Sequence, residues 1–107
     1  MEISQLLKGV LDLAVLAVLR SDDGYGYDVL RRLRAAGLDE VGDASVYGTL
    51  RRLYKAGLLN SYVVPSEEGP HRKYYSVNDL GRLRLAESGN TWHTFAKTMD
   101  NLLGEPV

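Results

Sequence analysis

Residues 43–75 read DASVYGTLRRLYKAGLLNSYVVPSEEGPHRKYY, and this stretch decides the fold. At about 100° per residue, Val46, Leu50 and Leu53 gather on one side of a helix, with Thr49 and Tyr54 at its edges. Tyr47, Gly48, Arg51, Arg52 and Lys55 fall on the opposite side. Asp43 stands where an N-cap is wanted, and Gly57 supplies the stop. Two runs rich in Tyr and Val, residues 61–64 and 72–77, flank the segment Pro65-Ser66-Glu67-Glu68-Gly69-Pro70. Such runs on either side of a Pro- and Gly-bearing turn predict a β-hairpin.

Working outward, residues 4–20 predict a first helix that is apolar nearly all round and therefore covered on every side, partly by a second subunit. Residues 25–36 predict a second helix with Val29, Leu30 and Leu33 inward and Gly37 as terminator. Asn78 is placed to cap a last helix reaching Leu103, with Gly89-Asn90 as a point of bending or interruption. The back half of that helix carries Trp92, Phe95, Ala96, Met99, Leu102 and Leu103 in a one-sided stripe. The stripe lies beyond the compact part of the chain, and a second copy is the simplest cover. The expected division is a winged helix-turn-helix unit over 1–77 and a dimerisation helix over 78–107. The fold class is mainly α (α+β), with a two-stranded wing.

The bulk properties narrow the function. At 107 residues and 45% apolar content, the chain holds one modest core and gains from a partner subunit. A net charge of -1 is not that of a polycation, so any nucleic-acid reading rests on where the charges lie. With no cysteine and two separated histidines, His71 and His93, the sequence offers neither a catalytic pair nor a metal-ligand pattern. No cofactor is expected. The longest apolar run, residues 10–19, contains Asp12 and is too short to span a bilayer. Without a leader motif, a soluble cytoplasmic protein with no membrane partner is expected.

Charge placement supplies the functional reading. Arg51, Arg52 and Lys55 on a helix are consistent with a merely solvated face. Tyr47 among them, followed by Gly48, favours contact with a ligand, because glycine costs roughly 1 kcal/mol in a helix. A second cluster, His71-Arg72-Lys73, lies on the hairpin; its plain role is to charge a strand edge against aggregation. Together the clusters fit double-stranded DNA, with one helix in the major groove and the hairpin beside it. Glu67 and Glu68 would hold the hairpin tip away from phosphate. The rival reading is a winged-helix module that docks another protein without binding DNA.

The chain also resembles the PadR family of bacterial transcriptional regulators, in its smaller subfamily with a single short C-terminal helix. The resemblance covers nearly the whole length. It rests on the apolar first helix, Tyr25-Gly26-Tyr27-Asp28, Ser45-Val46-Tyr47, Leu50-Arg51-Arg52-Leu53, Ala56-Gly57-Leu58, residues 69–75 (GPHRKYY), Gly81 and Trp92. It implies a homodimeric repressor whose first and last helices form the dimer. It further implies that Ser45 and Tyr47 hold the DNA backbone and that Gly69 to Lys73 form the wing. The sequence departs from the family pattern at Gly48, where proline is usual, and at Asp43-Ala44, where a Pro-Gly pair is usual. Some members sense flat aromatic compounds between paired tryptophans. The matching positions for effector or dimer contact are Leu6, Gly9, Val10 and Leu13 on the first helix and Trp92, Ala96 and Met99 on the last.

Overall fold

The computed structural model describes residues 1–105; the last two positions of the expected dimerisation segment, 106–107, lie outside the described residues. The chain runs α1 (Ile3–Ser21), β1 (Gly24–Tyr25), α2 (Gly26–Ala35), α3 (Asp43–Lys55), β2 (Leu59–Val64), β3 (Arg72–Val77) and α4 (Asp79–Leu103). The three strands form one antiparallel sheet in the order β1-β3-β2. The two-stranded wing is present, and Gly24–Tyr25 adds a third strand on its inner edge, paired with Tyr74 and Tyr75. Two residues are too few to show an alternating pattern, which is why β1 leaves no sign in the sequence. The strand β2 also starts at Leu59, two residues ahead of expectation, because Leu59 and Asn60 continue the ladder opposite Val77 and Ser76.

Helices α1, α2 and α3 meet around Leu16, Leu30 and Leu50, which are 1%, 1% and 0% exposed. The sheet closes this core with Leu59, Tyr75 and Val77, and α4 adds Leu85. Burial of each such leucine contributes about 1.5–3 kcal/mol.

Side chains fix the angles between elements. Arg32 on α2 donates to the carbonyls of Val18 and Asp22, groups that the end of α1 leaves without helical partners. Arg34 donates through Nε and Nη2 to the Val41 carbonyl at 3.2 and 3.0 Å, which braces the turn between α2 and α3. Gly37 and Gly57 end α2 and α3 at φ +117° and +81°, a conformation that favours glycine. After each, the next amide reaches back to the helix, Leu38 to Leu33 and Leu58 to Leu53.

Two local expectations change. Asp43 is the first residue of α3, Gly42 holds the cap position, and no side chain caps it. The Asp43 carboxylate lies 3.7 Å from Arg34, and its charge still suits the positive end of the helix. The pair Gly89-Asn90 does not interrupt α4, which is helical throughout its 25 residues. Asn78 does cap it, accepting from the Gly81 amide at 2.9 Å while donating to the Gly57 carbonyl at 2.9 Å. One residue thus joins the exits of α3 and the wing to the start of α4.

Gly81 and Leu85 anchor the first turns of α4 in the core. Its later turns leave Trp92, Phe95, Leu102 and Leu103 exposed. Within one chain α1 is covered over only part of its surface, as its apolar sequence in so short a chain predicts. Leu7, Leu11, Val15, Leu16 and Leu19 are buried, Val10 and Leu13 are half-buried, and Leu6 and Gly9 are open.

Candidate nucleic-acid interface

The wheel drawn from the sequence matches α3. Val46, Thr49, Leu50 and Leu53 are buried, while Ser45, Tyr47, Arg51, Arg52 and Lys55 are exposed and Gly48 is half-buried. A Cβ at Gly48 would meet nothing within 4 Å, so the chain itself makes no use of the missing side chain. The outer face of α3 has an open centre at Gly48, Arg51 and Lys55, and two flanks that are tied down.

Tyr47 forms one flank. A Cβ built on Gly26 would fall 1.8 Å from Cε1 and 2.5 Å from Cδ1 of its ring. The ring therefore rests against the bare backbone at the start of α2, while Tyr47 stays 41% exposed. Arg52 forms the other flank, where its guanidinium pairs with the Asp12 carboxylate on α1.

One wing cation reaches the end of α3. Lys73 Nζ lies 5.0 Å from the Tyr54 ring centroid and 5.5 Å from that of Tyr75, so it sits against the end of α3. Arg72 points to the other side of the sheet, 4.6 Å over the Tyr25 ring. There Tyr25, Tyr74 and Tyr62 form a row across β1, β3 and β2, with centroid separations of 5.3 and 5.7 Å. Residues opposite one another on neighbouring strands share a face, which produces such a row. The Tyr62 hydroxyl donates to Asp23 at 2.6 Å, and this hydrogen bond raises the Tyr62 phenol above its ordinary range. Gly69 and His71 are exposed beside the wing, and Glu67 and Glu68 are exposed at its tip.

Among the described residues, four carboxylates are ion-paired. Asp28 is paired with Arg31 and Arg32, Asp43 with Arg34, Asp12 with Arg52, and Asp79 with Arg82. Among the described residues, Arg51, Lys55, Arg72 and Lys73 have no carboxylate within ion-pair distance. The cations of the outer α3 face and the wing, Arg52 apart, are thus left unpaired.

A separate groove of about 610 Å³ lies between α1 and α4. Leu6, Gly9, Val10, Leu13 and Trp92 all line it, joined by Phe95. Ala96 and Met99 are half-buried on α4 and do not line it. Asp12 and Arg84 bring charge to its walls. The contacts that sequence reasoning missed are Gly26 under Tyr47, Asp12 with Arg52, Tyr25 under Arg72 and Tyr54 under Lys73. Each partner is distant in sequence, and no local pattern signals it.

Helices α2 and α3 joined by a tight turn, with a hairpin beside α3, make this a winged helix-turn-helix protein. Residues 15–87 match the transcriptional regulator PadR-like family, and the chain belongs to that family of regulators, which are not enzymes. A PadR-like transcriptional regulator from Bacillus cereus strain ATCC 14579 is 34% identical, with a TM-score of 0.83 over 95% of this chain and 99% of that one. A PadR family transcriptional regulator from Eggerthella lenta is 31% identical, with a TM-score of 0.85 over 97% of this chain and 90% of that one. Bacillus subtilis PadR, solved in complex with operator DNA, shares the fold at 22% identity and a TM-score of 0.67, over 73% of this chain and 45% of that one. Among the described residues, no helix is long and apolar enough to cross a membrane.

Proposed function

We propose that this chain is a homodimeric cytoplasmic repressor that binds an inverted repeat in double-stranded DNA and is released by a small aromatic effector. The observation that carries the DNA reading is the seating of Lys73 on Tyr54, which brings the wing's charge against the end of the recognition helix α3. In this reading Arg51, central on α3 and free of carboxylates, meets base edges. Ser45, Tyr47, Arg52, Lys55, Arg72 and Lys73 hold phosphate and sugar, and the Gly48 backbone lets the helix sit deep. Gly69 and His71 approach from the loop that leads into β3, with Glu67 and Glu68 turned away from the duplex. Bacillus subtilis PadR, which has the same fold, was solved with operator DNA, and this supports DNA as the partner.

The exposed stripe of Trp92, Phe95, Leu102 and Leu103 supports a dimer built on α4 and the open side of α1. Two α3 helices about 34 Å apart would then enter successive major grooves. The α1–α4 groove is the effector's place, with Trp92 as a flat wall and Gly9 leaving room opposite. An effector there releases DNA only by binding better to a dimer geometry that DNA does not favour.

Trp92 is the only tryptophan, so its fluorescence reports on the groove directly. A panel of planar aromatic compounds should contain ligands that quench it. Calorimetry should show those ligands losing affinity for a Trp92→Leu dimer by about tenfold or more, the scale of one aromatic pair of roughly 1.5 kcal/mol. A panel without a single quencher, or full affinity retained by the variant, would remove the effector from this reading.

A further inference from the structure

The two adjacent arginines of α3 stand in different surroundings. Arg51 lies towards the centre of the outer face, and Arg52, about 100° further round the helix, turns towards α1. There it meets the Asp12 carboxylate, forty positions away in the chain. The two side chains are 59% and 51% exposed, so the pair lies open to exchange with another anion. Asp12 also lines the α1–α4 groove, as does Leu53 from the buried side of α3. One carboxylate therefore stands at the corner between the groove and the DNA-facing helix.

We infer that Asp12 is an internal competitor for the DNA backbone: it holds the Arg52 guanidinium in the free protein and yields it to a phosphate when the duplex arrives. The inference rests on the DNA reading above. A guanidinium offers one planar fork that suits either a carboxylate or a phosphate. The flank of a helix lying in the major groove faces the groove wall, where phosphates pass. At that site the Asp12 charge works against DNA twice, first by engaging Arg52 and then by repelling the phosphate that replaces it. Asp12 is thus a positioning residue that acts through Arg52 and sets the affinity below what the cations alone would give.

The test compares wild type, Asp12→Asn, Arg52→Ala and the double variant on an inverted-repeat duplex recovered by in vitro selection with the wild-type protein. Asp12→Asn should bind about three- to tenfold more tightly at low salt, the scale of two exposed ion pairs per dimer. Its plot of log K against log salt should be steeper, because the wild type's Asp12, left unpaired in the complex, takes up a cation that the variant does not. In the Arg52→Ala background the same change should keep only the part due to repulsion of phosphate, a clearly smaller gain in affinity and slope, and melting temperatures should stay together. Weaker or unchanged binding by Asp12→Asn, or an equal gain in both backgrounds, would overturn the inference. Failure of the wild type to select any duplex would instead remove the DNA reading on which it rests. Normal wild-type binding with an inert Asp12→Asn would remove this inference alone.

Discussion

Arg51→Ala dimers should bind the selected operator at least about 30-fold more weakly than wild type, because a bidentate base contact contributes about 1–3 kcal/mol and the dimer loses two. The choice of Arg51 over Arg52 comes from the structure. Both lie on the outer face of α3, but Arg52 is engaged by Asp12, whereas among the described residues Arg51 meets no carboxylate. Arg51 is also exposed, so its removal should leave folding within about 0.5 kcal/mol of wild type. Two readouts separate base reading from phosphate holding. If Arg51 reads bases, binding weakens and preference relaxes at one position in each half-site. If it only holds phosphate, binding weakens evenly over all sequences and the salt slope falls by roughly 0.9 for each phosphate no longer neutralised. Fluorescence anisotropy on operator and point-changed duplexes across a salt series gives both. Undiminished affinity in Arg51→Ala would argue that α3 does not enter DNA, and would favour a protein-docking winged helix.

Gly26→Ala should have an effect out of proportion to one methyl group. The new Cβ would fall 1.8 Å from the Tyr47 ring, so the ring must leave its seat. Tyr47 is 41% exposed and has room to swing outward, which limits the loss of stability to about 1 kcal/mol, the scale of a side chain forced from its preferred rotamer. The loss of operator affinity should be larger, about tenfold or more, since a hydrogen bond to a charged phosphate contributes about 1.5–3 kcal/mol. A double-mutant cycle tests the cause. In a Tyr47→Ala background the ring is gone, and most of the Gly26→Ala penalty on DNA binding should disappear. Equal penalties in both backgrounds would mean that Gly26 acts through the path of α2 and not through Tyr47. Thermal unfolding and operator binding of the four proteins decide between these.

The same two cases show what was legible in the sequence. The buried side of α3 could be read from spacing alone, because a helix repeats over a few residues and Val46, Leu50 and Leu53 follow that repeat. The helix stops at Gly37 and Gly57 and the cap at Asn78 were legible for the same reason, since each acts on amides or carbonyls within a turn of itself. The Gly26–Tyr47 seat and the Asp12–Arg52 pair were not, because 21 and 40 residues separate the partners and only the packed fold brings them together. The groove was half legible. Leu6, Gly9, Val10, Leu13 and Trp92 line it, while Ala96 and Met99 on the same helix as Trp92 do not. Gly89-Asn90 predicts a bend or an interruption, and the interruption is absent. One glycine costs only about 1 kcal/mol, too little to interrupt a 25-residue helix. Asp43 looked like a cap, yet Arg34 lies across the turn to meet its carboxylate.

The most direct measurement is selection of random duplexes by the purified protein at low salt, with its mass in solution determined by light scattering on the same preparation. A dimeric regulator with two α3 helices about 34 Å apart should enrich an inverted repeat whose half-sites lie about 10 base pairs apart centre to centre. A folded protein that enriches no sequence, or a monomer that enriches a single half-site, would contradict it.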